Sequence, residues 1–170
     1  MSRILRDWGI ALLVGVLVFF LANWLGGRTS GPMPPTGQLA PDFALINLAG
    51  GTTRLSESRG RTTVINFWAT WCGPCKAELP EFTAYAKEHP EITVLGVVVP
   101  RSEGARLPEI VARFRIGYPV LVADDTIERN YPIDAFPTTY VVRADGTIAD
   151  IQMGGMDREM LGRMVIAAGG

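Results

Sequence analysis

The chain is poor in the residues that cross-link or clamp small folds: of 170 residues only two are cysteine and one is histidine. Two cysteines exclude the bridge-dense framework of small secreted domains. Counted with the lone histidine they still fall short of the four ligands of an ordinary structural zinc site. An excess of either charge is missing as well: 16 Lys and Arg face 17 Asp and Glu, the formal net charge is −1, and only 19% of residues are charged. This excludes the basic footprint of a nucleic-acid binder. No internal repeat and no long low-complexity tract occurs, which excludes solenoids and arrays. Apolar residues, by contrast, are abundant, at 48% with a mean hydropathy of +0.20. That is high for a soluble domain and is expected where part of a chain meets a solvent other than water. The length suits one domain of ordinary size with an appendage, not two catalytic domains.

The appendage is visible at the N-terminus. From Trp8 to Gly27 run 20 residues without Lys, Arg, Asp or Glu. At about 1.5 Å per residue they reach roughly 30 Å, the thickness of a bilayer's hydrocarbon core. Trp8 and Trp24 sit at the two ends, where indole rings favour the headgroup region, and Arg3 and Arg6 precede the run. The excess of cations there places residues 1–7 in the cytoplasm and the remainder outside, although Arg28 on the far side lessens the contrast. A cleaved signal peptide is the competing reading, but the run exceeds a typical signal core and no Ala-x-Ala site follows it. Residues 1–28 are therefore expected to form an uncleaved anchor with one transmembrane helix over residues 8–27. Thr29 to Gly37 is rich in Pro, Gly and Ser and suits an extended linker. With the linker taken as residues 29–38, the folded domain is expected over 39–170, with a net charge of −3.

That domain has the pattern of an α/β fold. Asp42 to Leu48 and Thr52 to Leu55 flank an Ala-Gly-Gly turn and suggest a hairpin closed by Ser56 to Gly60. Thr63 to Trp68 and Ile92 to Val99 are β-branched, nearly unbroken apolar runs, as expected of central strands covered on both faces. Between them Pro74 to Glu88 has helical composition, so a βαβ unit is expected. Pro108 to Phe114 suggests a further helix and Val120 to Val122 a short strand. Thr138 to Val142 and Thr147 to Ile151 suggest a hairpin around Asp145-Gly146, and Asp157 to Ala168 a last helix. Asp124 and Asp125 read as loop acids, and residues 101–106 as a loop. Phe67 and Trp68 read as core, and His89 as a solvated cation at a helix end. The sum is a mixed sheet with helices packed on it.

Both cysteines lie in Trp71-Cys72-Gly73-Pro74-Cys75, directly after a predicted strand and at the start of a predicted helix. Unsatisfied N–H groups concentrate positive partial charge at a helix N-terminus, which favours a thiolate and lowers a thiol's pKa from about 8.5. Cys72 is the expected nucleophile. Cys75, one turn on and on the same face, is placed to resolve a mixed disulfide on Cys72. Pro74 fits a helix's first turn, where its missing N–H has no acceptor to lose, and Gly73 lets the chain bend closely past the sulfurs. A purely structural bridge over so short a loop gains little unfolded-state entropy. The chemistry this pair leads one to expect is dithiol–disulfide exchange at Cys72 and Cys75, without metal or organic cofactor.

Phe67 to Lys76, centred on Trp-Cys-Gly-Pro-Cys, resembles the active-site segment of the thioredoxin superfamily, and Pro80 matches that family's helix-kinking proline. Ala135-Phe136-Pro137-Thr138-Thr139-Tyr140 resembles its cis-proline loop. Anchor, linker, Ala40-Pro41-Asp42-Phe43, Glu78 after the second cysteine and the Asp145-Gly146 turn are together similar to the TlpA/ResA/CcmG (DsbE) group. The resemblance covers Leu39 to Ala168 and is weaker between Pro100 and Pro132. It implies a thioredoxin fold with an N-terminal hairpin and a tethered extracytoplasmic or periplasmic domain. It also implies protein disulfide or thiol substrates such as apocytochrome c, and a membrane thiol electron donor. It further implies a cis Pro137 facing the cysteines, with Trp71, Phe136 and Pro137 as an apolar landing surface and the Phe136 backbone open to strand addition by a substrate. Asn66 stands where cytosolic thioredoxins bury an Asp and cannot accept a proton near neutral pH. Glu78 occupies the acid position of ResA-like members and is assigned to the proton of Cys75 or to the pair's potential, against the plainer reading of a solvated helix Glu beside Lys76. Peroxiredoxins share the Ala-Pro-Asp-Phe opening but lack this Trp-Cys-Gly-Pro-Cys. A thiol peroxidase and a redox-inert tethered binding module remain as alternatives.

Overall fold

The computed structural model describes residues 15–18, 36–99 and 106–170. The expected transmembrane helix and most of the linker lie outside the described residues, apart from 15–18, which are helical and exposed. Among the described residues no helix is long and apolar enough to cross a membrane. The expected loop over 101–106 also lies outside them except for Arg106.

The chain forms β1 (Ala44–Asn47), β2 (Thr52–Arg54), β3 (Thr63–Trp68), α1 (Gly73–Glu88), β4 (Thr93–Val98), α2 (Leu107–Phe114), β5 (Val120–Val122), α3 (Asp125–Asn130), β6 (Thr138–Val142), β7 (Ile148–Met153) and α4 (Arg158–Ala167). The seven strands make one mixed sheet in the order β2-β1-β5-β4-β3-β6-β7. β3 lies parallel to β4 and antiparallel to β6, and β4 lies parallel to β5. Every residue of β3 is buried, as its apolar run requires of a strand covered on both faces.

Side chains alternate between the faces of a strand, so β3 feeds two cores. Val64 and Trp68 join the core beneath α1 and α4, with Leu79, Phe82, Leu161 and Val165. Ile65 and Phe67 join the opposite core, with Phe43, Leu45, Ile127, Tyr131 and Tyr140. The same alternation sends Asn66 to the α1 face. On that face Gly96 of β4 leaves room for two rings: a Cβ there would lie 2.8 Å from Tyr118 Cε2 and 3.2 Å from Trp68 Nε1.

Several expectations need correction. Asp124 and Asp125 are not loop acids, because Asp124 caps α3, its carboxylate accepting from the Thr126 and Ile127 amides, and Asp125 opens the helix. The segment after β2 is a 3-10 turn over Leu55–Ser58, into which Leu55 passes from the expected strand. β7 starts and ends later than expected, and Asp157 is the cap of α4, its side chain accepting from the Met160 amide. Gly37 and Gln38, assigned to the linker, are hydrogen-bonded to Ile148 through the Gly37 N–H at 2.8 Å and the Gln38 carbonyl at 2.8 Å. His89 does stand partly exposed at the end of α1, as its C-cap, and in addition its ring stacks on Tyr85 at 4.3 Å and pairs with Glu91 at 3.0 Å.

Candidate active site

β3 delivers the chain to Trp68, which is fully buried, and a turn closed by the Cys72 N–H on the Ala69 carbonyl at 3.1 Å leads into α1. Cys72 is the N-cap and Pro74 lies in the first turn. Cys72 and Cys75 are joined by a disulfide. Of the two, Cys75 is wholly buried while Cys72 retains 5% exposure, so Cys72 is the sulfur a partner can reach. The Cys75 N–H donates to Cys72 Sγ at 3.1 Å. The cap atom of this helix is thus the reactive sulfur itself, and an amide already directed at it suits a thiolate after reduction. Gly73 needs a different account from the one expected. Its φ is ordinary, and a Cβ there would meet no heavy atom within 4 Å, so the bend past the sulfurs does not depend on glycine.

The Phe136–Pro137 peptide bond is cis. Phe136 packs against the cluster that holds both cysteines, and its ring meets Trp71 edge to face at 5.5 Å. β6 begins only at Thr138, and the Pro137 carbonyl accepts from the Gly154 N–H at 2.8 Å. Sheet pairing therefore stops short of Phe136. Trp71 is 49% exposed, an apolar ring held at the rim beside Cys72.

Glu78 lies one turn beyond Cys75 and is not solvated: its exposure is 3%. Its Oε1 accepts from Asn66 Nδ2 at 2.9 Å and its Oε2 from the Met156 N–H at 3.2 Å. Burial pushes the Glu78 carboxyl up to about 7, against the lowering effect of these two hydrogen bonds. A carboxyl with that pKa holds or releases a proton at neutral pH, as a group serving a thiol must. Asn66 also donates to Thr139 Oγ1 at 3.0 Å, its partner across β3 and β6. The loop at Gly155 closes over this cluster, a Cβ there lying 3.9 Å from both Glu78 Oε2 and Pro74 Cβ. Trp68 Nε1, Tyr118 OH and Asn66 Oδ1 are buried on the same side without a hydrogen-bond partner among the described residues.

The sequence-predicted residues Cys72, Cys75, Trp71 and Phe136 are thus brought together, with Pro74 and Glu78 beneath one loop and Pro137 continuing from Phe136. Asn66 as the partner of Glu78, Thr139 and the Met156 amide were not foreseen. Strand alternation, which puts Asn66 on the α1 face, was the one signal able to suggest the first of them. Among the described residues no group of three His, Cys, Asp or Glu side chains is placed to hold a metal.

A Cys-x-x-Cys pair capping the helix after a central strand, beside a cis-proline loop on a mixed sheet, defines a thioredoxin-fold thiol-disulfide oxidoreductase. Residues 36–151 match the model of the AhpC/TSA family, and the chain belongs to that family. It is 33% identical over 159 residues to the thiol-disulfide oxidoreductase ResA of Geobacillus kaustophilus, covering 91% of this chain and 88% of that one. To the thioredoxin-like protein YneN of Bacillus subtilis it is 31% identical over 166 residues, covering 91% and 94%. Among solved structures, a thioredoxin-family thiol:disulfide interchange protein of Chlorobium tepidum superposes with a TM-score of 0.72 at 26% identity, over 82% of this chain and 100% of that one. The pneumococcal exposed lipoprotein thioredoxin Etrx1 of Streptococcus pneumoniae gives a TM-score of 0.66 at 29% identity, over 74% and 98%.

Proposed function

We propose that the chain is a membrane-tethered reductant of protein disulfides on the extracytoplasmic side of the cytoplasmic membrane, acting as in cytochrome c maturation and recharged by a membrane thiol carrier. Cys72 thiolate attacks one sulfur of a client disulfide and releases the other as a thiolate. Cys75 then attacks Cys72 Sγ and frees the client. The client gains two electrons and the protein dithiol loses two; of the two protons that complete the client's thiols, one comes from Cys75 and the other from solvent, which took it when Cys72 ionised. Trp71, Phe136 and Pro137 receive the client, and Glu78 manages the proton of Cys75.

The observation that carries the direction is the burial of Glu78 one turn from Cys75. An ionised carboxyl there opposes a thiolate on Cys75, so the reduced form is held less firmly and gives up its electrons more readily. The test is the reduction potential of the full chain in a dithiothreitol redox buffer. A value near the thioredoxin figure of about −270 mV is expected, and one near the strongly oxidising figure of about −120 mV overturns the reading. Tethering is supported by the apolar run over residues 8–27 and by the resemblance to an exposed lipoprotein. Labelling of the thiols in intact cells by a membrane-impermeant reagent is expected, and labelling only after lysis overturns that part. The match to the AhpC/TSA model favours thiol peroxidase as a second reading; peroxide consumption faster than disulfide exchange would put it first.

A further inference from the structure

Beside the active site a cleft of about 460 Å³, which neither Phe136 nor Pro137 lines, opens between the start of α1 and the length of α2. Trp71 forms one end of it, and Phe114 and Ile110 supply its apolar part. Among the described residues its charged lining is Lys76 from α1, Arg106 at the N-cap of α2, and Glu109 and Arg113 within α2. Among the described residues that line it, three cations thus stand against one carboxylate, on a domain whose residues 39–170 sum to −3. Among the described residues no ion pair consumes Lys76, Arg106 or Arg113. Arg113 lies over the Phe114 ring at 5.8 Å, which lays its guanidinium along the apolar wall. Two of the residues that line the cleft are near neighbours of the reactive cysteine in the chain: Trp71 precedes Cys72, and Lys76 lies one turn beyond it on the helix that Cys72 caps.

We propose that this cleft recognises an acidic stretch of the client polypeptide next to the cysteine under attack, so that Lys76, Arg106 and Arg113 select clients by charge. The inference rests on the reading of the chain as a reductant of protein disulfides. A client crossing Cys72 has one flank over Phe136 and Pro137 and the other in the cleft. Asp or Glu side chains on that second flank meet guanidinium groups suited to bidentate carboxylate binding. Charges at the rim of an interface act mainly on encounter rate and on rejection of wrong partners, which is what an enzyme with many potential clients requires.

The reduced full-length chain is offered three peptides, each with an intrachain disulfide and identical except for a run of Glu, Ser or Lys on one side of the attacked cysteine, prepared with the run on either side. The Glu peptide is expected to be reduced about fivefold to tenfold faster than the Lys peptide at low ionic strength for one of the two placements. The gap should close near 1 M salt, where the screening length falls to about 3 Å. Arg106→Glu combined with Arg113→Glu should abolish or invert the order. Arg129→Glu, on α3 at the opposite face, should leave it intact. Unchanged reduction of the Ser peptide by the double variant shows that it is folded and active. Equal rates for all three peptides, or a preference that survives the double variant, overturn the inference. Failure to reduce even the Ser peptide overturns the underlying reading instead.

Discussion

On one face of the sheet Phe67, Tyr131 and Tyr140 meet ring against ring at 5.1 to 5.6 Å, with Phe43 at 6.1 Å from Tyr131. Of the polar groups among these rings, the Tyr131 hydroxyl is tied to the Pro41 carbonyl at 2.5 Å. On the other face the apolar core is interrupted by the disulfide, a buried carboxyl, Asn66 and Thr139. The same strand feeds both, through alternate residues. The aromatic face is built of ring contacts, and its one polar cost among the described residues is the Tyr140 hydroxyl, buried there without a hydrogen-bond partner. The α1 face gives up apolar packing to hold a proton and a pair of sulfurs, and it does so within a frame that the first face keeps rigid.

The largest effect that separates the two faces is expected of Cys72→Ser, which should reduce exchange with a protein disulfide to the uncatalysed background while leaving the fold intact. Full exchange by this variant would remove Cys72 from the role of nucleophile. Next, Phe67→Ala should cost about 3–5 kcal/mol in a denaturant melt, yet below the new midpoint the cysteine pair should cycle as before; a changed reduction potential would show that the faces are not separable. Glu78→Gln comes third. The folded-state pKa of Glu78 is about 7 against an ordinary 4.5, so between those values the native protein binds the proton more tightly than the unfolded chain. Stability from this group is fully present below about pH 4.5, declines as pH rises through 7 and is flat above. The variant should lack this decline, a difference of up to about 3 kcal/mol between pH 4 and pH 8 in the oxidised form. Equal pH profiles for wild type and variant would remove Glu78 from the account. Smallest, Asn66→Leu deletes a hydrogen bond that lowers the Glu78 pKa. A carboxyl titration by NMR should move upward from about 7, and a downward shift would contradict the assigned donor.

Elements with their own period were legible from the residues alone: β3 and β4 as unbroken apolar runs, α1 and α4 as helices, the cysteine pair as a strand-to-helix junction. α3 was not, because six residues carrying one buried side chain, Ile127, show no period, and its cap Asp124 looks like any loop acid. Within the site, Cys72 and Cys75 declare themselves by spacing. The Glu78–Asn66–Met156 cluster does not, since it joins residues 12 and 78 positions apart through a register and a loop that no local pattern encodes. The Ala-Pro-Asp-Phe opening was read as the start of a hairpin. Its further use, a Pro41 carbonyl that pins Tyr131 from 90 residues away, belongs to tertiary structure alone.

The atom that closes the first turn of α1 is the same atom that carries electrons. A thermodynamic cycle then binds folding to redox: any free energy that the Cys75 amide lends to a negatively charged Cys72 Sγ is counted once as added resistance of the dithiol form to unfolding. The same quantity appears again as a more positive potential, at about 30 mV for each 1.4 kcal/mol. Glu78 pulls the other way in both ledgers. Comparing the melting of the two redox forms before and after Glu78→Gln therefore measures, without any electrode, the share that this carboxyl takes.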